Sequence, residues 1–343
     1  MNFQHSDEQD MLRASAAGTF ARGRDVTASL AELGVFGLLV APERGGSGLG
    51  LVEAAIVLQE AGRAGSGGSL AETLLMADPL SRSMPDRAHD ILVGTMAVIA
   101  PISGSLHETA ARLRGKLTLA RPNSGDWIAA KIDGSAEVAL LDPAALTLTA
   151  RAPIDATAGS CEATVDVSAA DIRTVAIDAF ADRLAILRCA ELLGLAEHCL
   201  ALSVTYLKDR QQFGQPIGAN QALKHIAADT YLAQENIRVA VEYAAAARDA
   251  ADAQPADAAL RTASADAVAV MRAYVPRAAR EIVETAIHLH GGIGLTWQYG
   301  LNAYLRRIVR LGMGLGSVTS HQLALFARFA EPEPSAAHEE VPA

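Results

Sequence analysis

Residues 210–225 read RQQFGQPIGANQALKH, and the reading of this stretch decides the fold. It separates two long helical patterns, and Pro216-Ile217-Gly218 forbids a continuous helix through it. Arg210, Phe213 and Gln221 thereby sit on a rigid hinge as a cationic fork, an aromatic plate and an amide donor. Such a set suits a phosphate-rich, ring-bearing ligand, because a guanidinium pairs with phosphate oxygens through two parallel bonds. The residues alone leave a second reading open, in which Arg210 pairs with an acidic helix neighbour and Phe213 fills core. A second stretch, HLHGGIGLTWQYGLNAYL (288–305), ends another long helix in a Gly-Gly-x-Gly turn. Gly291, Gly292 and Gly294 let backbone N–H groups approach an anion closely, with His288 as a nearby donor. A plain helix C-cap at Gly291-Gly292 explains the glycines equally well.

The chain has 343 residues, enough for two or three domains with a sizeable core. It is 50% hydrophobic but only 4% aromatic, which favours long helices packed closely through small side chains. A net charge of −10 with no basic cluster argues against nucleic acid as a partner. No apolar run approaches about 18 residues and the first residues are acidic and polar, so neither a membrane span nor a secretory leader is expected. Cys161, Cys189 and Cys199 form no C-x-x-C pair, the usage of a reduced, cytoplasmic protein. His288 and His290, two residues apart, do not share a helix face, and no metal is expected.

Residues 1–95 read as helices broken at Gly and Pro, with Ser6 as an N-cap before Asp7 and Glu8. Leu51, Ala54, Ala55, Leu58 and Ala61 recur at helical spacing. Residues 96–175 change character: short apolar runs at 96–99, 127–130 and 138–141 between turn residues predict a small β domain. Residues 176–331 return to a helical pattern interrupted at 213–218, near 254–255 and at 291–300, which predicts an antiparallel four-helix bundle. The acidic, Pro-containing stretch 332–343 is expected to be disordered.

Together the two glycine-bearing stretches resemble the C-terminal domain of the flavin-dependent acyl-CoA dehydrogenases, which carries RxxFGxxIGxxQ and a downstream HGGxG in this order. The opening MNFQHSDEQDMLRASAAGTFA and residues 30–64 (LAELGVFGLLVAPERGGSGLGLVEAAIVLQEAGRA) resemble that family's first three helices and the Gly-rich loop between them. The resemblance spans most of the chain except about residues 65–175. It is similar to the family's short members, which often form one half of a paired, hetero-oligomeric enzyme. The resemblance implies a mainly α fold: an N-terminal helical domain, a shortened middle β domain and a C-terminal four-helix bundle. It also implies FAD between β domain and bundle, with the ADP half reaching a neighbouring subunit, an acyl-CoA substrate, and electron-transferring flavoprotein as acceptor. Short paired relatives act on bulky acyl groups such as steroid side chains. Carried over by position, Arg210, Phe213, Gln221 and the turn His288–Gly294 would contact the flavin; relatives commonly have Gln where His288 stands. Trp297 is expected to pack under that turn.

Departures from the family carry as much information. Its ring-binding Thr-Glu-Pro-x-x-Gly-Ser segment corresponds to AVIAPISGSLHETAARLRG, where Pro101, Ser103, Gly104 and Ser105 keep the turn character without the acid or the clear Thr. Trp127-Ile128-Ala129 only superficially resembles the family's flavin clamp and reads better as strand core. The reaction needs a carboxylate whose pKa is raised in a closed apolar site. Where most relatives hold that Glu, RLGMGLGSVTSHQ (310–322) has no Asp or Glu. The alternative family position matches Leu184; Asp182 lies two residues away, and equally reads as a helix N-terminal charge. Glu191 and Glu197 stand further along. Three functions follow: the leading one is a half-site subunit whose partner supplies the Glu; the others are a self-sufficient homo-oligomer using Asp182 and an inert acyl-CoA-binding scaffold.

Overall fold

The structure, a computed structural model, describes residues 5–23, 26–155 and 158–330; the expected disordered segment 332–343 lies outside the described residues. Ser6 does cap the first helix. Its hydroxyl accepts from the Gln9 N–H while the Gln9 side chain accepts from the Ser6 N–H, a reciprocal box that satisfies two orphan donors. The N-terminal layer is α1 (Asp7–Arg22), α2 (Val26–Glu32), α3 (Leu51–Arg63), α4 (Leu70–Ser83) and α5 (Pro85–Leu92). The glycines before α3 have a steric cause: a Cβ on Gly50 would stand 2.4 Å from Asp249 Oδ2. That carboxylate accepts from the Leu51 and Val52 N–H groups at 2.8 and 3.1 Å, capping α3 from a helix almost two hundred residues away in sequence.

The middle part holds β1 (Val98–Ile99), β2 (His107–Thr109), β3 (Arg112–Ala120), β4 (Trp127–Lys131), β5 (Glu137–Leu141), β6 (Thr147–Arg151), β7 (Ser160–Ser168) and β8 (Arg173–Ala176). Two four-stranded sheets form, in orders β1-β4-β5-β8 and β2-β3-β7-β6. Alternation decides their faces. Leu113, Leu117 and Leu119 of β3 turn inward onto Ile128, Ala130 and Leu141, while Arg112, Arg114 and Lys116 pair outward with Asp166 and Glu162.

The C-terminal part is α6 (Phe180–Asp209), a hairpin of β9 (Gln211–Gln212) and β10 (Gln215–Pro216), then α7 (Gln221–Ala253), α8 (Ala258–His290), α9 (Leu301–Met313) and α10 (Val318–Ala330). Small residues set how closely it packs. A Cβ on Gly194 of α6 would meet Gln59 O at 1.9 Å, and one on Gly62 of α3 would meet Glu191 O at 2.2 Å, so α3 and α6 cross with their backbones almost touching. All three cysteines are free and buried; burial pushes the Cys189 thiol up to about 12, which marks it as an inert packing residue. Among the described residues no helix is long and apolar enough to cross a membrane.

Candidate functional site

Reversing direction at each short connection brings the C-terminal ends of α6 and α8 and the N-terminal ends of α7 and α9 to one end of the bundle. Both sequence motifs therefore meet there. Tyr206 of α6 stacks on His290 of α8 with ring centroids 4.4 Å apart, and Tyr299 closes on His290 at 4.6 Å. The His290 Nδ1–H donates to the Ala286 carbonyl at 2.7 Å, and burial holds the imidazole below its ordinary pKa, so it is the neutral form that packs.

Above this stack the predicted site residues are presented to solvent. Arg210 ends α6 and forms no ion pair among the described residues, which removes the helix-neighbour reading. Phe213 is 99% exposed, so it fills no core. Gln221 opens α7 and is exposed, as is His288. The two readings of the glycine turn both find a place. Gly291 is the C-cap of α8 at φ +63°, its N–H donating to the His288 carbonyl, while at Gly291 and Gly292 the space around a Cβ is open. Gly294 is different: it is buried, and a Cβ there would stand 2.7 Å from Ile287 O, so it serves close packing rather than the open turn. Trp297 corrects its expectation too, being 65% exposed with Arg306 4.7 Å over its ring.

A second locus lies where the first half of α6, the end of α9 and the β domain meet. Here the segment 99–102, the stretch 310–311 and α6 line one cavity of about 20 Å³ together with Glu72, Arg188 and Glu191. That is room for a single water. Charged side chains fill the surroundings. Arg307 donates from Nε and Nη2 to Glu191 Oε1 at 2.7 and 2.5 Å; Arg188 donates from Nη2 to Glu72 Oε1 at 2.6 Å and from Nη1 to Gly314 O at 3.3 Å. Asp155, 1% exposed, reaches across from the β domain to the Arg310 Nε at 3.0 Å. Each carboxylate is thus held by a guanidinium, and none is placed to take a proton without breaking a buried ion pair.

Asp182 does not reach this cavity. It sits in the first turn of α6, 39% exposed, with Arg272 at 3.1 Å, which is the helix-end charge reading. Glu197 is tied down as well, to Gln59 and Arg63. Glu191, set aside in the sequence as too far along the helix, lines the cavity together with Glu72. Its signal was present: Arg188 and Glu191 are charged positions in the otherwise apolar run LAILRCAELLGLA. Trp127 lies in β4, partly buried, with Arg87 5.7 Å over its ring, as a strand residue.

Family profiles match both helical parts: "Acyl-CoA dehydrogenase, C-terminal domain" over residues 174–328 and "Acyl-CoA dehydrogenase, N-terminal domain" over residues 6–87. The acyl-CoA dehydrogenase IpdE2 of Mycobacterium tuberculosis is 33% identical over 80% of this chain and 77% of its own length. Acyl-CoA dehydrogenase FadE34 of the same organism is 29% identical over 90% of this chain, which spans only 42% of FadE34. In fold, the chain matches one chain of the ChsE4-ChsE5 complex from Mycobacterium tuberculosis with a TM-score of 0.76, over 97% of this chain and all of that matched chain, at 20% identity.

Proposed function

This chain belongs to the acyl-CoA dehydrogenase family of FAD-dependent oxidoreductases acting on CH–CH bonds, and on that premise we propose that it is one subunit of a heteromeric enzyme, completing a partner subunit's flavin site. The observation that carries the proposal is the pairing of every carboxylate beside the ion-paired cavity: Glu72 is held by Arg188, Glu191 by Arg307 and Asp155 by Arg310, so none of the three stands ready as the base.

The bundle end, by contrast, fits the ADP half of FAD. Arg210 would pair with the pyrophosphate, Phe213 would offer a ring face, and Gln221 and His288 would donate hydrogen bonds beside the open Gly291-Gly292 backbone. When bound, FAD accepts a hydride from the substrate's β-carbon. This chain's residues bind and orient; the partner supplies the Glu that takes the α-proton and most of the ring pocket. The fold match to a protein solved as a complex of two chains supports this division. The substrate class is an acyl-CoA, with a bulky acyl group and electron-transferring flavoprotein as acceptor carried over from the family, in a cytoplasmic setting.

Flavin stoichiometry tests the proposal. The chain purified alone should hold no FAD, and co-expression with a full-length acyl-CoA dehydrogenase that pairs with it should give one FAD per heterodimer. One FAD per chain alone, bleached by an acyl-CoA, would overturn the half-site reading and direct attention to Asp182→Asn and Glu191→Gln. Flavin in neither preparation would favour the inert scaffold.

A further inference from the structure

A groove of about 840 Å³ runs between the second half of α6 and the first half of α7, with the Arg63–Glu197 ion pair at the end away from the hairpin. Its size is that of a small-molecule pocket, typically about 300–1,000 Å³. None of its lining residues belongs to the ion-paired cavity or to the bundle-end motifs. The lining is largely apolar. Leu200 is buried at its floor, Ala201, Ala227 and Ala228 are too small to fill it, and Tyr231 stands beside it, 57% exposed.

The charged groups of the groove are already paired. Glu197 accepts from Gln59 Nε2 at 2.8 Å and from Arg63 Nε at 2.7 Å, and Arg63 Nη1 lies 3.2 Å from Glu60 Oε1. His198 stacks on Tyr304 with ring centroids 4.8 Å apart, and burial holds its imidazole below the ordinary pKa, in the neutral form. Gln234 differs from all of these. It lies one turn beyond Tyr231 on the same face of α7, is 8% exposed, and its amide forms no hydrogen bond among the described residues. Buried amides are hydrogen-bonded as a rule, because a donor and an acceptor withdrawn from water without partners are costly. A second amide matches both atoms at once, since it presents an acceptor and a donor side by side. With the lining charges already paired, the matching group is neutral.

We propose that this groove binds a neutral aromatic carboxamide, the ligand's amide on the Gln234 amide and its ring against Tyr231 and Leu200. The site is separate from the bundle end and stands whether or not the chain completes a partner's flavin site.

The test is titration of the full-length chain with benzamide, acetophenone and benzoate, followed by ligand-observed NMR. Acetophenone has the shape of benzamide but carries a methyl group in place of the N–H donors. Benzamide should bind about fivefold more tightly than acetophenone, the worth of one net hydrogen bond. It should also bind more tightly than benzoate, whose charge finds no free cation in the groove. Gln234→Leu should erase the preference over acetophenone while acetophenone itself still binds. Tyr231→Ala, at an exposed ring, should weaken both ligands. Absence of benzamide binding overturns the proposal, as does benzamide binding that Gln234→Leu leaves unchanged, or a stronger hold on benzoate. Displacement of benzamide by FMN or CoA would assign the groove to the family's own ligands and overturn it as well.

Discussion

Replacing Glu191 by Ala strips a buried guanidinium of its principal partner. Arg307 is 3% exposed and Glu191 2%, and the two are joined by two bonds to one oxygen. Removing one member of a buried pair typically costs about 3–5 kcal/mol, because the other charge stays desolvated. Asp155 remains 3.6 Å from the Arg307 Nη1 and offsets part of that, so the expected loss is about 3 kcal/mol. For a chain of this size it corresponds to a fall in Tm of roughly 4 °C. The double variant Glu191→Leu/Arg307→Met removes both charges and leaves Asp155 on Arg310, so it should lie within about 1 kcal/mol of the parent. Thermal unfolding of the parent, both singles and the double closes a cycle with a coupling of about 2 kcal/mol or more. A Glu191→Ala chain that melts within a degree or two of the parent would refute the reasoning. It would mean that water reaches Arg307 and that the cavity is open to larger ligands.

Gly67→Ala should destabilise the chain by about 2 kcal/mol, since a Cβ there would stand 2.4 Å from Glu191 Oε1 and 2.6 Å from Arg307 Nη2; in the Leu/Met double variant the penalty should shrink. Asp249 is raised to about 6 by burial against its two N–H bonds, so the fold holds a proton there that the unfolded chain, with an ordinary carboxylate, does not. Folding stability is therefore gained as pH falls from about 6 to 4 and lost as it rises; the burden at pH 8 is about 3 kcal/mol at most. Asp249→Asn should be more stabilising at pH 8 than at pH 5 in urea unfolding, and an effect independent of pH counts against a buried carboxylate. Arg210→Ala should leave the Tm of the isolated chain unchanged while lowering FAD content in the assembled enzyme; loss of stability with FAD retained would make Arg210 a structural residue.

The helical and strand periods, the breaks at Gly and Pro and the Ser6 cap were legible because each is a local property of the chain. The bundle end was legible for the same reason, since hinge chemistry and a Gly-Gly turn are written within a few residues. The filled cavity was not. Glu191 and Arg307 lie 116 residues apart, as do Glu72 and Arg188, and only tertiary packing puts them together. What the sequence held was a hint of the wrong kind: two charges in an apolar helix read as exposed positions until a partner is known. Gly294 failed for a related reason. A glycine required by a neighbouring helix looks the same in sequence as one required by a ligand.

Phe213 offers a direct test of the proposed role of the bundle end. Gln211–Gln212 and Gln215–Pro216 pair as a hairpin closed by Phe213 and Gly214, with φ of +52° and +80°. A two-residue turn with positive φ at both positions favours Asn or Asp first and Gly second. Gly214 obeys; Phe213 does not, at a cost of about 1 kcal/mol for a bulky L-residue in the left-handed region. Nothing among the described residues offsets this, because the ring is 99% exposed and also leaves apolar surface in water. A strained, solvated aromatic persists where something else covers it. Phe213→Asn should therefore stabilise the isolated chain by about 1 kcal/mol while weakening FAD capture in the assembled enzyme. A variant that gains stability and keeps full flavin content would show that the ring has no partner there, and the bundle end would lose its claim to the cofactor.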